Sequence, residues 1–120
     1  MMDTSSTANI AVETVDLPVL PLTAEAFAPY GQVIGSTIDG KPYDKEDAQL
    51  DLNRGIPRFY MMTLERADRD FRLITRHLSV TQCLAAMNGK PWLIAVAPPN
   101  DPDDATKMPD PKEIRAFLVP

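Results

Sequence analysis

Trp92-Leu93-Ile94-Ala95-Val96-Ala97 is an uninterrupted apolar run, and the prolines Pro98 and Pro99 follow it directly. A strand that is apolar on both faces is typical of the centre of a sheet, where both faces are covered. Proline restricts the residue before it to extended conformations and offers no N–H to a neighbouring strand. We therefore predict a central β-strand over residues 92–97 that forms the core of the domain and ends at the prolines.

Shorter strand-type segments lie before and after this run. Phe59–Leu64 is rich in aromatic, Met and Thr residues, and Phe71–Val80 mostly alternates between apolar and polar residues. Val33-Ile34 leads to Asp39-Gly40, a dipeptide suited to a tight turn, and Ile114–Val119 is again strand-like. The 12 prolines are roughly twice the average usage and favour short strands over a helical bundle. These patterns predict a mainly β protein.

One short helix is expected ahead of most of these strands. Within residues 22–31, Thr23 can cap the start of a helix, and Glu25 suits the positive N-terminal end. Pro29 and Gly31 are typical of the point at which a helix ends. We therefore predict one short helix that starts after Thr23.

The length of 120 residues fits a single domain. Residues 1–16 mix Ser, Thr, Ala and acids without a sustained period, so we assign them to a flexible N-terminal leader and residues 17–120 to one β domain. Residues 100–111, rich in Asp and Pro, are expected to form an exposed connection. Since Ile114–Val119 would leave an unpaired edge as a last strand, we expect the domain to be incomplete on its C-terminal side.

Composition and charge argue against two classes of function. The net charge is −5 and no basic run is present, which excludes nucleic-acid binding. No stretch approaches the ~20 apolar residues of a membrane span, so a membrane protein is not expected. Cys83 is the only cysteine, which excludes an intrachain disulfide, and we expect its side chain to be a buried small hydrophobe. A cytoplasmic location is the simplest interpretation.

Seven short motifs occur along residues 17–120: Leu20-Pro21-Leu22-Thr23, Phe27-Ala28-Pro29-Tyr30-Gly31, Asn53-Arg54-Gly55 with Arg58-Phe59, Arg76-His77 with Thr81-Gln82, Gly89-Lys90-Pro91-Trp92, Val96-Ala97-Pro98-Pro99 and Ile114-Arg115-Ala116-Phe117. Each is common by itself, but the set in this order and spacing resembles the ureidoglycolate lyase family. The sequence departs from the family pattern at Cys83, where the family has an aromatic residue, and at Ala85-Ala86, where it has a proline nearby.

The resemblance implies a cupin-like, jelly-roll-type antiparallel β-barrel with one or two short helices, often forming a homodimer. It implies an enzyme, a carbon–nitrogen lyase of the amidine-lyase type that splits the small molecule ureidoglycolate into glyoxylate and urea in allantoin and purine breakdown. Family members continue with a Gly-Thr-Trp-His segment, which this sequence lacks. A divalent metal such as nickel is expected from the resemblance only, and no organic cofactor is evident.

This reaction requires a group that moves protons. His77 is the only histidine, the residue type that exchanges protons most readily near neutral pH, so we predict a catalytic role for it. The alternative is a structural histidine bonded across the sheet. Gln82 carries a donor and an acceptor suited to a ureido group, and we predict that it assists His77. The alternative for Gln82 is an ordinary strand residue that faces outward.

The reaction also requires groups that hold the substrate. The resemblance brings Arg76 and Thr81 into the substrate-binding set. Because successive side chains of a strand point to opposite faces, Arg76 and His77 cannot both face the cavity if the strand is regular. One of the two is then structural or lies at an interface.

A loop nearer the N-terminus, over residues 53–58, supplies the remaining binding candidates. Asn53 and Arg58, together with Arg54, can bring a carboxylate anchor, because a guanidinium binds a carboxylate through two parallel hydrogen bonds. The alternative is a turn asparagine with solvated arginines. One histidine cannot build the several-histidine metal site of cupins, so we assign no metal ligand. Two rival functions stay open: a non-catalytic module that binds or senses small carboxylates, and an interaction domain whose last strand pairs with a partner.

Overall fold

The computed structural model describes residues 14–65, 69–101 and 103–120. Within these residues the regular elements are strand β1 (Val19–Pro21), helix α1 (Ala24–Phe27), strand β2 (Trp92–Val96), a 3-10 turn (Pro111–Glu113) and strand β3 (Arg115–Val119). Most of the leader predicted over residues 1–16 lies outside the described residues. No helix in the described part of the chain is long and apolar enough to cross a membrane.

The three strands form one open sheet in the order β1-β3-β2. β2 pairs with β3 in antiparallel register, with Ile94 opposite Phe117, and β1 pairs with β3 in parallel register, with Leu20 opposite Phe117. Strands outnumber α-helices in the described residues, which confirms a mainly β fold. Within the described residues the sheet does not close into a barrel. The β1–β3 pairing is parallel rather than antiparallel, which the long connection between these strands permits.

The order of the strands corrects two sequence predictions. The apolar run expected to be the central strand does form β2, but within the described residues β2 lies at an edge of the sheet and Leu93 is 44% exposed. The strand expected to leave an unpaired edge, β3, is instead the central one, with partners on both sides. Hydropathy reports how apolar a strand is, whereas its place in a sheet depends on partners distant in sequence.

The core lies on one side of β3. Phe117 is 1% exposed and Ile114 is 7% exposed. The Phe27 and Tyr30 rings meet the Phe117 ring nearly edge-on, with centroid separations of 5.2 Å and 5.7 Å. Edge-to-face pairs of this kind contribute about 0.5–1.5 kcal/mol each beyond the area they bury. Helix α1 and the turn after it therefore pack on the sheet through three aromatic rings.

The predicted helix start is confirmed. Thr23 has an extended backbone, and its Oγ1 accepts a hydrogen bond of 3.1 Å from the N–H of Ala26. This bond satisfies one of the N–H groups that the first turn of a helix leaves without a partner. Glu25 lies in the first turn, as expected. The cap fixes where α1 begins and so delivers Phe27 to the core.

Several predicted strands do not form. Phe59–Leu64 and Phe71–Val80 make no strand, and neither does Val33-Ile34, although all three are described. Strand-type residues favour a pleated, half-buried surface but do not supply the neighbouring backbone that a ladder requires. Consequently Phe59 and Leu73 are 91% and 88% exposed. The turn predicted at Asp39-Gly40 is present, with φ of +82° at Gly40, a conformation that glycine adopts without steric cost.

Hydrogen bonds organise the loop over residues 41–51. The side-chain amide of Gln32 donates to the carbonyl oxygens of Lys45 and Asp47 at 3.2 Å and 3.0 Å. Lys41 Nζ contacts carboxylate oxygens of Asp44 and Asp47 at 2.7 Å and 3.0 Å. Hydrogen bonds to these two carboxylates raise the pKa of Lys41 above its ordinary value. This cluster, in which Lys41 and Asp47 are half-buried, links the two ends of the loop.

Candidate functional site

A groove forms at the segment that sequence analysis selected. It has a volume of about 330 Å³ and is lined by the residues Arg76, His77, Leu78, Ser79, Val80 and Gln82. His77 and Gln82 are both exposed to solvent on this groove, so a ligand can reach both side chains. The structure thus brings together the two residues that were predicted to be catalytic.

Arg76 uses its guanidinium to hold a distant loop. Nη1 donates hydrogen bonds to the carbonyl oxygens of Asp104 and Lys107 at 2.6 Å and 2.8 Å, and Nη2 donates to the carbonyl oxygen of Asp101. Arginine carries five N–H donors, so these three bonds engage much of its capacity. The side chain is half-buried, whereas that of the neighbouring His77 is exposed. Arg76 therefore ties the connection over residues 101–107 to the groove, and its role in substrate binding stays a prediction.

The acidic connection held by Arg76 carries a carboxylate with a lowered pKa. The hydroxyl and the N–H of Thr106 donate to Asp104 Oδ1 at 2.6 Å and 3.0 Å. These two hydrogen bonds lower the pKa of Asp104 below its ordinary value, and the charge of Arg76 adds a smaller effect in the same direction. The connection is mainly exposed, as predicted. Its carboxylates place negative charge beside the groove.

Thr81, which lies between the groove residues Val80 and Gln82, is hydrogen-bonded to the loop over residues 51–55. The N–H of Thr81 donates to the carbonyl oxygen of Asp51 at 2.9 Å, and the N–H of Asp51 donates to Thr81 Oγ1 at 2.9 Å. Asp51 Oδ1 also accepts a bond of 3.3 Å from the N–H of Asn53. The loop that carries Asn53 is therefore fastened beside the segment that carries His77.

Gly55 makes the contact between this loop and the groove wall. A Cβ atom at Gly55 would stand 3.0 Å from Ser79 Cβ and 3.1 Å from Val80 Cγ1. Both distances are shorter than ordinary carbon–carbon contacts of about 3.5–4.0 Å. Because Ser79 and Val80 line the groove, the loop over residues 51–55 packs directly against its wall. The predicted anchor residues Asn53 and Arg54 thus lie on a segment adjacent to the groove.

Arg58 lies outside this arrangement. Its guanidinium carbon stands 4.6 Å from the centroid of the Tyr60 ring, a cation–π contact at an exposed position. It is not among the residues that line the groove. The structure therefore brings Asn53 and Thr81 close to the groove segment, but it engages Arg58 elsewhere, and a binding role for Arg58 stays a prediction.

Cys83 corrects another sequence prediction because its side chain is exposed rather than buried. All residues from Thr81 to Lys90 are exposed, since no strand of the described residues covers this segment. Lys90 is exposed, and its N–H donates to Asn88 Oδ1 at 2.9 Å next to Gly89, whose φ is +71°. Through Gln82, this exposed segment forms part of the edge of the groove.

Sequence reasoning missed the residues that hold the groove in place. Asp51 and the carbonyl groups over residues 101–107 act through the backbone, which no side-chain pattern reveals. Asp51 pairs with Thr81 across 30 residues, and Arg76 reaches Lys107 across 31. The glycine in Asn53-Arg54-Gly55 was the one available signal, since glycine is the usual residue where another group approaches the backbone closely.

The described residues do not form a site suited to a bound metal ion. Among residues 14–65, 69–101 and 103–120 there is no group of three or more His, Cys, Asp or Glu side chains placed to hold a metal ion. A transition-metal site of the cupin kind needs several imidazoles, and His77 is the only histidine of the chain. We therefore derive no reaction step through a metal.

The second groove is less suited to an anionic ligand. It has a volume of about 340 Å³ and lies beside Lys41 and Asp47. The three N–H groups of Lys41 are matched by the carbonyl oxygen of Pro42 and by the carboxylates of Asp44 and Asp47. This cation is already neutralised within its own loop.

The described residues thus define a mainly β protein with an open groove that carries a histidine and an amide. The chain is similar to curated proteins named ureidoglycolate lyase. It is 36% identical to those of Pseudomonas paraeruginosa and Pseudomonas aeruginosa over 119 residues, which cover 86% of this chain and 64% of each relative. It is 29% identical to the protein of Azotobacter vinelandii over 114 residues, covering 85% of this chain and 65% of the relative.

The chain therefore spans just under two thirds of the length of the curated relatives that it matches. No family model matches the chain. No solved structure matches it either. The similarity to curated relatives and the groove at residues 76–82 are thus the two observations that bear on function.

Proposed function

We propose that this chain belongs to the ureidoglycolate lyase family and that the protein splits ureidoglycolate into glyoxylate and urea. The observation that carries the proposal is the groove, because it lies at the Arg76-His77 and Thr81-Gln82 motifs that link the sequence to the family. The similarity to relatives of that name supports the same reaction.

The proposed reaction is an elimination in which no water is consumed. The hydroxyl proton of ureidoglycolate leaves its oxygen, and the O–H electron pair forms the carbonyl group of glyoxylate. The bond between the central carbon and the ureido nitrogen breaks, and this nitrogen takes up a proton and departs in urea. The reaction therefore needs one group to accept a proton, one to return it and a donor set for the carboxylate.

His77 is suited to both proton transfers. An imidazole can accept the hydroxyl proton and then donate it to the departing nitrogen, which leaves the side chain unchanged after one cycle. The amide of Gln82 can donate to the ureido oxygen and accept from a ureido N–H, which orients the leaving group. Both side chains are exposed on the same groove, so a substrate can reach them without movement of either side chain.

The substrate carboxylate needs cationic or amide donors. We assign this role to Asn53 and Arg54 on the loop next to the groove, with Arg58 further along the same segment. Arg76 and Thr81 contribute to binding by holding the walls of the groove, since both are engaged in hydrogen bonds with other segments. An arginine in this loop would bind the carboxylate in a bidentate manner.

We further propose the wider context that the family resemblance implies. The protein acts in allantoin and purine breakdown in the cytoplasm, works as a homodimer and uses no organic cofactor. The finer architecture that the resemblance implies is a cupin-like, jelly-roll-type antiparallel β-barrel. A divalent metal such as nickel remains a proposal from the resemblance alone, and it requires ligands other than a cluster within the described residues.

The second candidate function is a non-catalytic module that binds a small carboxylate. The openness of the groove favours it, because His77 and Gln82 are both exposed to water rather than enclosed in a dry cavity. Exclusion of water strengthens the electrostatic interactions by which catalytic groups stabilise a transition state. A metabolite, in contrast, can bind well at a site that contains water. This module would bind ureidoglycolate saturably without converting it.

Urea release by the purified chain separates the two functions. Under the lyase proposal, the wild-type chain releases urea, and His77→Ala reduces kcat by about 10²-fold or more, the range for loss of a proton-transfer group. Gln82→Ala also lowers kcat, because the leaving group is no longer oriented. Met87→Ala serves as a control because this side chain is 81% exposed and has no proposed role. Saturable binding without urea would favour the binding module, and full activity in both groove variants would remove the proposed roles of His77 and Gln82.

A further inference from the structure

We infer that Gly55 and Thr81 are positioning residues that set the place of Asn53 and Arg54 relative to the groove. Together with Asp51 they form what we call the loop latch, a contact between residues 51–55 and residues 79–81. The inference rests on the proposed function, because it assigns Asn53 and Arg54 to the substrate carboxylate. It goes beyond that proposal in naming Gly55 and in assigning to Gly55 and Thr81 together the position of the loop that carries Asn53 and Arg54.

The first half of the loop latch is a pair of hydrogen bonds. Thr81 N–H to Asp51 O and Asp51 N–H to Thr81 Oγ1 both measure 2.9 Å, close to the optimum for N–H···O bonds. The first bond needs only the backbone of residue 81, whereas the second needs its hydroxyl. A valine at this position keeps the shape and the backbone bond but removes the acceptor for Asp51 N–H.

The second half of the loop latch is a close steric contact at Gly55, where a Cβ atom would be more crowded than in most Cβ contacts. At Gly55 the space for a Cβ atom is occupied to within 3.0 Å by Ser79 Cβ and to within 3.1 Å by Val80 Cγ1. The backbone at Gly55 does not have a positive φ, so the need for glycine here is one of space and not of conformation. Alanine at this position would push the loop away from the groove wall by a few tenths of an ångström.

Such a displacement acts on binding geometry. The loop residues Asn53 and Arg54 precede Gly55 directly, while Ser79 and Val80 lie in the groove wall between His77 and Gln82. A shift of the loop therefore changes the distance from the carboxylate anchor to the proton-transfer group. Small misplacements of substrate relative to a catalytic group have large effects on rate, up to about 10²-fold for 1 Å.

The test compares Gly55→Ala, Thr81→Val and Thr81→Ser in the full chain by steady-state kinetics with ureidoglycolate. We expect the first two to raise KM about tenfold, since they weaken binding to the anchor, and to lower kcat as well, since the bound substrate is displaced from His77. Thr81→Ser keeps the hydroxyl and should restore the wild-type KM. Gly35→Ala is the matched control, because a Cβ at Gly35 meets nothing within 4 Å and its φ is not positive.

Amide hydrogen exchange provides a readout that does not depend on activity. The Asp51 amide should exchange faster in Gly55→Ala and in Thr81→Val than in Gly35→Ala and in Thr81→Ser, because its bond to Thr81 Oγ1 is weakened or lost. If the wild type releases no urea, the proposed function fails, while faster Asp51 exchange in these two variants would still support the loop latch.

Equal Asp51 exchange in Gly55→Ala and Gly35→Ala would overturn the loop latch itself. In an active enzyme, the positioning role would be overturned by wild-type KM values in Gly55→Ala and Thr81→Val. It would also be overturned if Thr81→Ser failed to restore the KM. Thermal unfolding of each variant identifies any global loss of structure, and Thr81→Val carries the test if Gly55→Ala does not fold.

Discussion

Arg76 Nη1 donates a hydrogen bond of 2.6 Å to the carbonyl oxygen of Asp104, which lies 28 residues further along the chain. The same guanidinium also binds two other carbonyl groups of the 101–107 connection. One side chain thus fastens an exposed, acidic connection to the groove. The groove therefore depends on a cation whose partners are backbone atoms.

Replacing Arg76 should destabilise the protein. We expect Arg76→Met to lower the free energy of unfolding by about 1–3 kcal/mol, because charge-assisted hydrogen bonds to the carbonyl groups are lost. Arg76→Lys should recover only part of this loss, since a single ammonium lacks the planar fork. Urea denaturation followed by circular dichroism measures these differences. Arg72→Met, at an exposed position of the same segment, is the control, and an equal effect of both methionine variants would contradict the fastening role.

Removing the most buried ring should have a larger effect. Phe117 is 1% exposed and contacts both Phe27 and Tyr30, so Phe117→Ala should lower the free energy of unfolding by about 3–5 kcal/mol. The matched change Phe59→Ala, at a side chain that is 91% exposed, should alter it by less than about 0.5 kcal/mol. Similar losses in the two variants would mean that Phe59 is covered in solution.

The lowered pKa of Asp104 predicts a loss of stability in acid. A carboxyl group whose pKa is lower in the folded state stabilises the protein above its unfolded pKa of about 3.9, and this contribution disappears as pH falls through the folded pKa. Hydrogen bonds from Thr106 are the main cause of the lowered pKa. Wild type should therefore be more stable than Asp104→Asn at pH 7, and the difference should shrink at pH values below about 3.9.

Denaturation midpoints measured from neutral to acid pH check this prediction. Asp103→Asn provides the control, because Asp103 lies in the same connection and is exposed. A difference between wild type and Asp104→Asn that stays constant across the whole pH range would show that the Asp104 charge does not contribute through its pKa.

Local features of the fold were readable from the sequence. The apolar run predicted β2 because hydropathy marks strand interiors, and Thr23 predicted the start of α1 because an N-terminal cap needs one particular residue type. The turn at Gly40 followed from a similar local rule. Each of these features depends on residues that are neighbours in the chain.

Features that depend on partners distant in the sequence could not be predicted from the sequence. Strand composition could not show that β3 lies between β1 and β2, or that Phe71–Val80 lacks a ladder. The two hydrogen bonds between Asp51 and Thr81 leave no periodic signal, because one uses only backbone atoms and the partners are far apart in sequence. The motif at residues 76–82 did locate the groove, whereas the division into a leader and a domain from residue 17 stays a prediction.

Product analysis decides whether the groove cleaves a carbon–nitrogen bond. The purified chain is incubated with ureidoglycolate, and glyoxylate, urea and ammonia are quantified against a protein-free sample. An elimination catalysed through His77 predicts glyoxylate and urea in equal amounts, no ammonia, and loss of both products in His77→Ala. Release of ammonia instead of urea, or no product above the protein-free sample, would contradict the proposed lyase.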